Sequence, residues 1–323
     1  MSRLVGKGYQ LSVLRRKRPA LELILRCAIL ASMRIAVARQ LASIAVAAGF
    51  AGCLALGQSN APAFHEGFID VPGARVFYKD SGGGGVPVVF LHAYTGNAEV
   101  WEQQIPAFTD AGYRFIAYDR RGYGRTVADP NGPSTTGADD LLALVDHLKI
   151  DKFHLVGTAG GGFVALDFAI SYPKRLRSFV LLCSQGGVQD PDFMEAVKRL
   201  TPDGFRNMPP DFRELSPSYR VANPAGVARW SELEKKSHAP EGVQGPPQPS
   251  KNRVTLALIE GIRIPTLVMA GDADLYAPPS LMRRIAERIR GAQFVVLPDA
   301  GHSAWWEVPD EFNRTVLTFL RQH

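Results

Sequence analysis

The residues best able to do chemistry gather around one glycine-rich turn. In Leu155-Val156-Gly157-Thr158-Ala159-Gly160-Gly161-Gly162 an apolar run passes straight into a helical pattern. A Gly-x-Ser-x-Gly turn of this kind holds one residue in a strained conformation, so that its side chain stands clear of a sheet and can attack a carbonyl. Gly157 and Gly161 match the two glycines, and Ala159 occupies the nucleophile's place. A methyl group cannot attack, so a seryl acyl-enzyme route is closed there. A dinucleotide loop does not fit, because Gly-x-Gly-x-x-Gly is absent and the turn follows a middle strand rather than the first. The glycine run 82–85 is not a P-loop, since no Gly-Lys-Ser/Thr follows it. No Cys/His spacing suits zinc, so neither metal nor cofactor is expected.

The elements that must position this turn alternate along the chain. Phe68-Ile69-Asp70-Val71 and Ala74-Arg75-Val76-Phe77-Tyr78 read as a hairpin around Pro72-Gly73. Apolar runs at 88–91, 115–118, 153–156, 178–182, 266–269 and 294–297 read as buried strands. Helices are expected at 101–108, 138–148 and 163–172. Short apolar strands separated by amphipathic helices indicate a mostly parallel, twisted sheet covered on both faces. Residues 186–249 break the rhythm with Pro, charge and short helical stretches at 192–200 and 227–236. They read as a helical lid, with 240–249 as its Pro-rich return linker. The expected organisation is a leader at 1–63, a core at 64–185 and 250–323, and the lid at 186–249.

Four motifs, in order, resemble those of the α/β-hydrolase superfamily, in the branch holding enol-lactonases, carbon–carbon bond hydrolases, haloperoxidase-like esterases and cofactor-free dioxygenases. They are Leu91-His92-Ala93-Tyr94-Thr95-Gly96, Tyr118-Asp119-Arg120-Arg121-Gly122-Tyr123-Gly124, Gly271-Asp272-Ala273-Asp274 and Ala300-Gly301-His302-Ser303. The resemblance runs from about Phe68 to the C-terminus and implies the α/β-hydrolase fold. It also implies roles. His302 would be the general base, its pKa near the usual 6.5 or so of histidine. Asp274 would orient it, preferred over Asp272 because the family's acid stands three residues after the glycine. Backbone N–H groups of Tyr94 and Gly160 would form the oxyanion hole. Ala93 replaces the family's usual glycine, which could displace that backbone slightly. Trp305 and Trp306 could line the pocket or pack on the sheet. Thr158 and Ser184 do not replace the missing nucleophile: the first points away from the pocket, and the second ends a different strand.

The departure at Ala159 leaves three explanations: an engineered Ser→Ala variant, a native reaction that needs no nucleophile, or lost activity. The leading expectation is a hydrolase acting on a small organic ester, lactone or diketone-like substrate through the His302–Asp274 dyad. The resemblance is greatest to enol-lactonase-like proteins, which does not fix the substrate. A lyase or cofactor-free dioxygenase on the same dyad, or a silent ligand-binding protein, are the alternatives. Oligomeric state is not legible.

Composition bounds the partners. The 323 residues are 46% hydrophobic and 21% charged, ordinary for a globular chain. The net charge of +6 misleads, since residues 1–40 carry nine Lys or Arg and one acid, Glu22, leaving −2 for residues 41–323. No nucleic-acid partner is therefore expected. Residues 41–56 are apolar and uncharged behind Arg34 and Arg39, suiting a signal-peptide core better than a membrane span. Export to the periplasm or medium is expected, with membrane contact by the leader in transit and cleavage near Ala55-Leu56-Gly57; an uncleaved leader acting as a membrane anchor is the alternative. Cys27 and Cys53 lie in that leader and Cys183 alone in the body, so no disulfide framework is expected. Intact-mass spectrometry of exported protein should give a chain beginning close to Gly57. An uncut Met1 on a cytoplasmic chain would refute the assignment.

Overall fold

The computed structural model describes residues 64–323; the leader, Cys27 and Cys53 lie outside the described residues. Nine strands form one sheet among the described residues. They are β1 (His65–Val71), β2 (Ala74–Asp80), β3 (Pro87–Leu91), β4 (Arg114–Tyr118), β5 (Val127–Ala128), β6 (Phe153–Thr158), β7 (Leu176–Leu182), β8 (Thr266–Gly271) and β9 (Gln293–Leu297). The order is β1-β2-β4-β3-β6-β7-β8-β9, with β5 paired to β2. The hairpin β1–β2 turns at Gly73, which takes a φ of 76°. β2 runs antiparallel to β4, and every pair from β4 to β9 is parallel. This is the mostly parallel sheet of the α/β-hydrolase fold. The two-residue β5 was not foreseen, being too short to show periodicity.

The pleat divides the core. Val89 and Leu91, Ile116 and Tyr118, Leu181, and Val268 and Ala270 face one side. Val88 and Phe90, Phe115 and Ala117, Val180 and Leu182, and Leu267 and Met269 face the other. Helices Gly137–His147, Ala159–Ser171 and Pro279–Ala286 cover the first side, and Gln104–Asp110 and Pro309–Leu320 the second. Strands buried on both faces must be apolar at every position, which is why these runs do not alternate. Each fully buried Val, Leu or Phe contributes about 1.5–3 kcal/mol.

One expected helix is broken. Residues 98–101 form a 3-10 turn capped by Asn97, and the α-helix starts only at Gln104. Pro106 is the cause: it has no N–H for the Glu102 carbonyl and its ring crowds that group, so it fits only a first helical turn. Residues 186–249 add no strand to the sheet. They carry helices Pro191–Leu200, Pro210–Glu214, Pro217–Ala222 and Pro224–Lys235, each with Pro in its first turn. Among the described residues no helix is long and apolar enough to cross a membrane.

The helix after β6 begins at Ala159 itself, earlier than the pattern suggested. The strained residue is Ala159, at φ 47°, whereas Gly157 and Gly161 are absent from the left-handed region. Their role is space. A Cβ at Gly161 would overlap the Leu91 and His92 carbonyl oxygens, and one at Gly157 would overlap Ala165. Gly161→Ala should therefore destabilise the fold by about 1–3 kcal/mol. Gly84→Ala, with nothing near its would-be Cβ, should stay within about 0.5 kcal/mol. Urea unfolding with an unchanged m-value is the check.

Candidate active site

Parallel strands send their C-terminal ends to one edge, and the chemistry-bearing loops all leave from it. His92 to Gly96 follow β3, Ala159 follows β6, Asp274 follows β8 and His302 follows β9. Since β3, β6, β7, β8 and β9 are successive neighbours, residues far apart in the chain share this edge.

His302 and Asp274 meet there. His302 Nδ1 lies 2.9 and 3.0 Å from the two Asp274 carboxylate oxygens. Both side chains are buried. Asp274 Oδ1 also accepts the Tyr276 and Ala277 N–H groups at 2.8 and 3.0 Å, which holds the carboxylate in place. The Tyr276 ring packs 4.5 Å from the imidazole, centre to centre. Asp272 is exposed, and its N–H is spent on Leu297 O. With Nδ1 turned to Asp274, Nε2 is the nitrogen left for a reacting group.

Two further carboxylates surround the dyad, and no motif announced them. Glu307 accepts the Gly301 N–H on one oxygen at 2.9 Å and the Ser216 N–H on the other at 2.8 Å. Glu214, from a helix of residues 186–249, accepts the Ser303 N–H on its backbone oxygen at 2.9 Å. Its carboxylate lies 3.4 Å from Ser303 Oγ, which also accepts from Trp230 Nε1 at 3.2 Å. The only sequence signal was a Glu five positions after the histidine. Burial drives His302 down, but Asp274, Glu214 and Glu307 outweigh it, and its pKa is pushed up to about 9. This corrects the expectation of a histidine titrating near neutrality: the neighbouring negative charge favours the imidazolium. Burial also raises Glu307, to about 7, and Glu214.

At the elbow, no other group takes the nucleophile's place. Ser184 Oγ donates to Ala159 O at 2.6 Å and accepts the Gly186 N–H at 3.2 Å. Thr158 Oγ1 is buried without a partner. Burial pushes the Cys183 thiol up, and Asp274 adds to the effect, so it stays protonated. Trp305 and Trp306 are buried in the core, with Trp305 against Trp101 at 5.8 Å; packing is their role.

The segment after β3 is clamped through one carbonyl. Ala93 O receives His92 Nδ1 at 2.7 Å and Arg120 Nη2 at 3.1 Å. His92 Nε2 accepts the Arg120 N–H at 3.1 Å, so its proton sits on Nδ1. Burial, reinforced by Arg120, holds His92 well below the usual range and keeps it neutral. The Ala93 carbonyl and the Tyr94 N–H belong to one trans peptide and point oppositely, so fixing the first aims the second. Ala93 is outside the left-handed region, so its methyl strains nothing. A Cβ at Gly160 would come within 2.6 Å of the half-exposed Tyr94 ring, so a larger residue there would turn that ring aside. The Asp119 turn supports this segment by accepting the Ala98 and Arg125 N–H groups, both at 2.7 Å. Gly124 is needed because a Cβ would overlap that carboxylate.

Comparison with known proteins bears on the family and the fold. The description "Alpha/beta hydrolase family" fits residues 88–315. A 2-hydroxy-6-oxononadienedioate/2-hydroxy-6-oxononatrienedioate hydrolase of Burkholderia vietnamiensis is 31% identical, over 77% of this chain and 91% of its own. A thermophilic esterase from Thermogutta terrifontis superposes with a TM-score of 0.65 at 28% identity, over 80% of this chain and 98% of that one. The enol-lactonase of Burkholderia xenovorans LB400, at 24% identity and a TM-score of 0.62 over 79% and 99%, shares the fold.

The raised His302 pKa has a definite sign. The pair stabilises the fold fully below about 6.5 and loses that contribution as pH rises through about 9. A ¹⁵N NMR titration should show His302 protonated at pH 7 and losing its proton near pH 9. Asp274→Asn should move that transition downward. An imidazole already neutral at pH 7 in the unaltered chain would contradict the carboxylate arrangement.

Proposed function

Because this chain belongs to the alpha/beta hydrolase family, we propose that it is a hydrolase of small organic esters, lactones or diketones that works without a covalent intermediate. The observation that carries the reading is a buried His302–Asp274 pair on the sheet edge that also presents alanine at the elbow. His302 Nε2 takes a proton from water, and the resulting hydroxide adds to the substrate carbonyl. The Tyr94 and Gly160 N–H groups hold the oxyanion. The imidazolium then returns the proton to the leaving oxygen or carbon as the tetrahedral intermediate collapses. Asp274 fixes the tautomer and stabilises the cation. General-base catalysis contributes about 10²–10⁴-fold and an oxyanion donor about 10²–10³-fold, enough for turnover without a nucleophile. Residues 186–249 serve as a lid over this edge, and the leader takes the protein out of the cytoplasm.

With its pKa at about 9, His302 is unprotonated in roughly one molecule in a hundred at pH 7. Such a strong base also favours substrates with an acidic C–H between two carbonyls, where proton abstraction replaces water activation. kcat/KM is expected to climb about tenfold per pH unit from 6 to 8 and level off near 9.

His302→Ala should abolish turnover across a panel of esters, lactones and diketones. A fluorophosphonate probe should leave the unaltered chain unlabelled and should label Ala159→Ser, which gains ordinary esterase activity. Covalent labelling of the unaltered chain at another Ser or Thr would overturn the mechanism.

A further inference from the structure

A cavity of about 380 Å³ opens beside the proposed oxyanion residues. Tyr94 and Gly160 form one wall, and Phe163 and Asp167 of the helix after β6 form another. A Pro-rich strap, residues 244–250, also lines it. His302 and Asp274 are not part of the lining. The volume suits a small organic molecule at the lower end of ligand-pocket sizes.

The charges around this cavity are unequal in their needs. Arg121 is engaged bidentately by Asp140 at 2.8 and 2.9 Å. The Asp167 carboxylate takes the Lys251 N–H at 2.6 Å, the Asn252 N–H at 3.0 Å and Asn252 Nδ2 at 2.7 Å, so its acceptors are occupied. His238 stacks on the Tyr123 ring at 4.9 Å. Arg120 differs. It is 7% exposed, and among the described residues no carboxylate lies within ion-pair distance of it. Its side chain donates to Ala93 O and lies beside the Tyr123 hydroxyl, its Nε has no partner, and its guanidinium packs against the Tyr94 and Tyr123 rings at 5.2 and 4.6 Å. A buried cation without a counter-ion is costly, so an anion that reaches it from the cavity would gain a strong partner.

We propose that this cavity binds the carboxylate of the substrate, with Arg120 as its counter-ion. The proposal rests on the hydrolase reading above and narrows it: the substrate is a small acid whose reacting carbonyl lies at the Tyr94 and Gly160 amides while its carboxylate, a few bonds away, reaches Arg120. A planar guanidinium matches a carboxylate better than a point charge does. Phe163, Pro246 and Pro247 supply the apolar wall for the intervening carbons. Arg120 would then act at both ends, holding the Ala93–Tyr94 peptide and the substrate's charge.

Monomethyl succinate and its neutral counterpart dimethyl succinate are suitable probes, titrated calorimetrically into the full chain carrying His302→Ala so that binding is read without turnover. The monoester should bind at least tenfold more tightly than the diester. Its affinity should fall as sodium chloride is raised, with the diester unchanged. Arg120→Met in the same background should remove the preference, and Arg120→Lys should keep part of it. The salt series needs no substitution at Arg120, so it stands even if Arg120→Met misfolds. Equal binding of the two probes, absence of monoester binding, or a preference untouched by salt and by Arg120→Met would overturn the subsite. Failure of the hydrolase reading looks different: the monoester binds as described, yet the unaltered chain turns over neither ester.

Discussion

The contact on which the rest of the site depends is the buried hydrogen bond between His302 and Asp274. An imidazolium and a carboxylate taken out of water lose much hydration, and their mutual attraction offsets the loss only when the remaining hydrogen-bonding capacity is met. The fold meets it from several directions. The Tyr276 and Ala277 N–H groups serve Asp274, while Glu307 holds the loop on which His302 stands. The Ser216 N–H donates to the Glu307 carboxylate and the Ser303 N–H to Glu214 O, so residues 186–249 are joined to the histidine loop by hydrogen bonds. The same acids that fasten the loop raise the basicity of the imidazole. Structural support and chemical tuning are one arrangement.

The elbow preserves its geometry while lacking its usual reagent. Ala159 keeps a left-handed backbone, which costs a non-glycine residue about 1–2 kcal/mol. The turn is held by close approach: the helix lies so near the β3 carbonyls that no side chain fits at Gly161. Ser184 ties the Ala159 carbonyl from the neighbouring strand. The strain therefore persists whatever side chain position 159 carries, and it keeps the next amide, that of Gly160, beside the Tyr94 segment.

That segment is governed by its own clamp. A neutral histidine and a cationic arginine converge on one carbonyl, and the peptide plane they hold includes the Tyr94 N–H. Preorganised donors are the economical way to stabilise a developing oxyanion, because no reorientation is needed at the moment of reaction. The Asp119 turn delivers Arg120 to this place, which links a motif remote from the dyad to the same edge.

The sequence alone determined the fold class, the order of most strands and helices along the chain, and the elbow with its alanine; the resemblance carried by its motifs singled out His302 and Asp274, which the structure brings together. These are local matters: apolar runs, glycine spacing and loop motifs each carry their signal within a few residues. Pro106 carried one too, although its effect on the helix start was not drawn from the pattern. Only the tertiary structure decided the rest. The pKa of His302 depends on Glu214 and Glu307, which reach it through folding and not through any spacing. The need for glycine at 157 and 161 proved to be one of space, set by β3 and by the helix that carries Ala165, and not of backbone angle. The isolation of Arg120 is likewise invisible in Asp119-Arg120-Arg121-Gly122, where two adjacent arginines look alike. Both reach the cavity, but only Arg121 finds a carboxylate, Asp140, because a turn points consecutive side chains in different directions and long-range packing decides what each one meets.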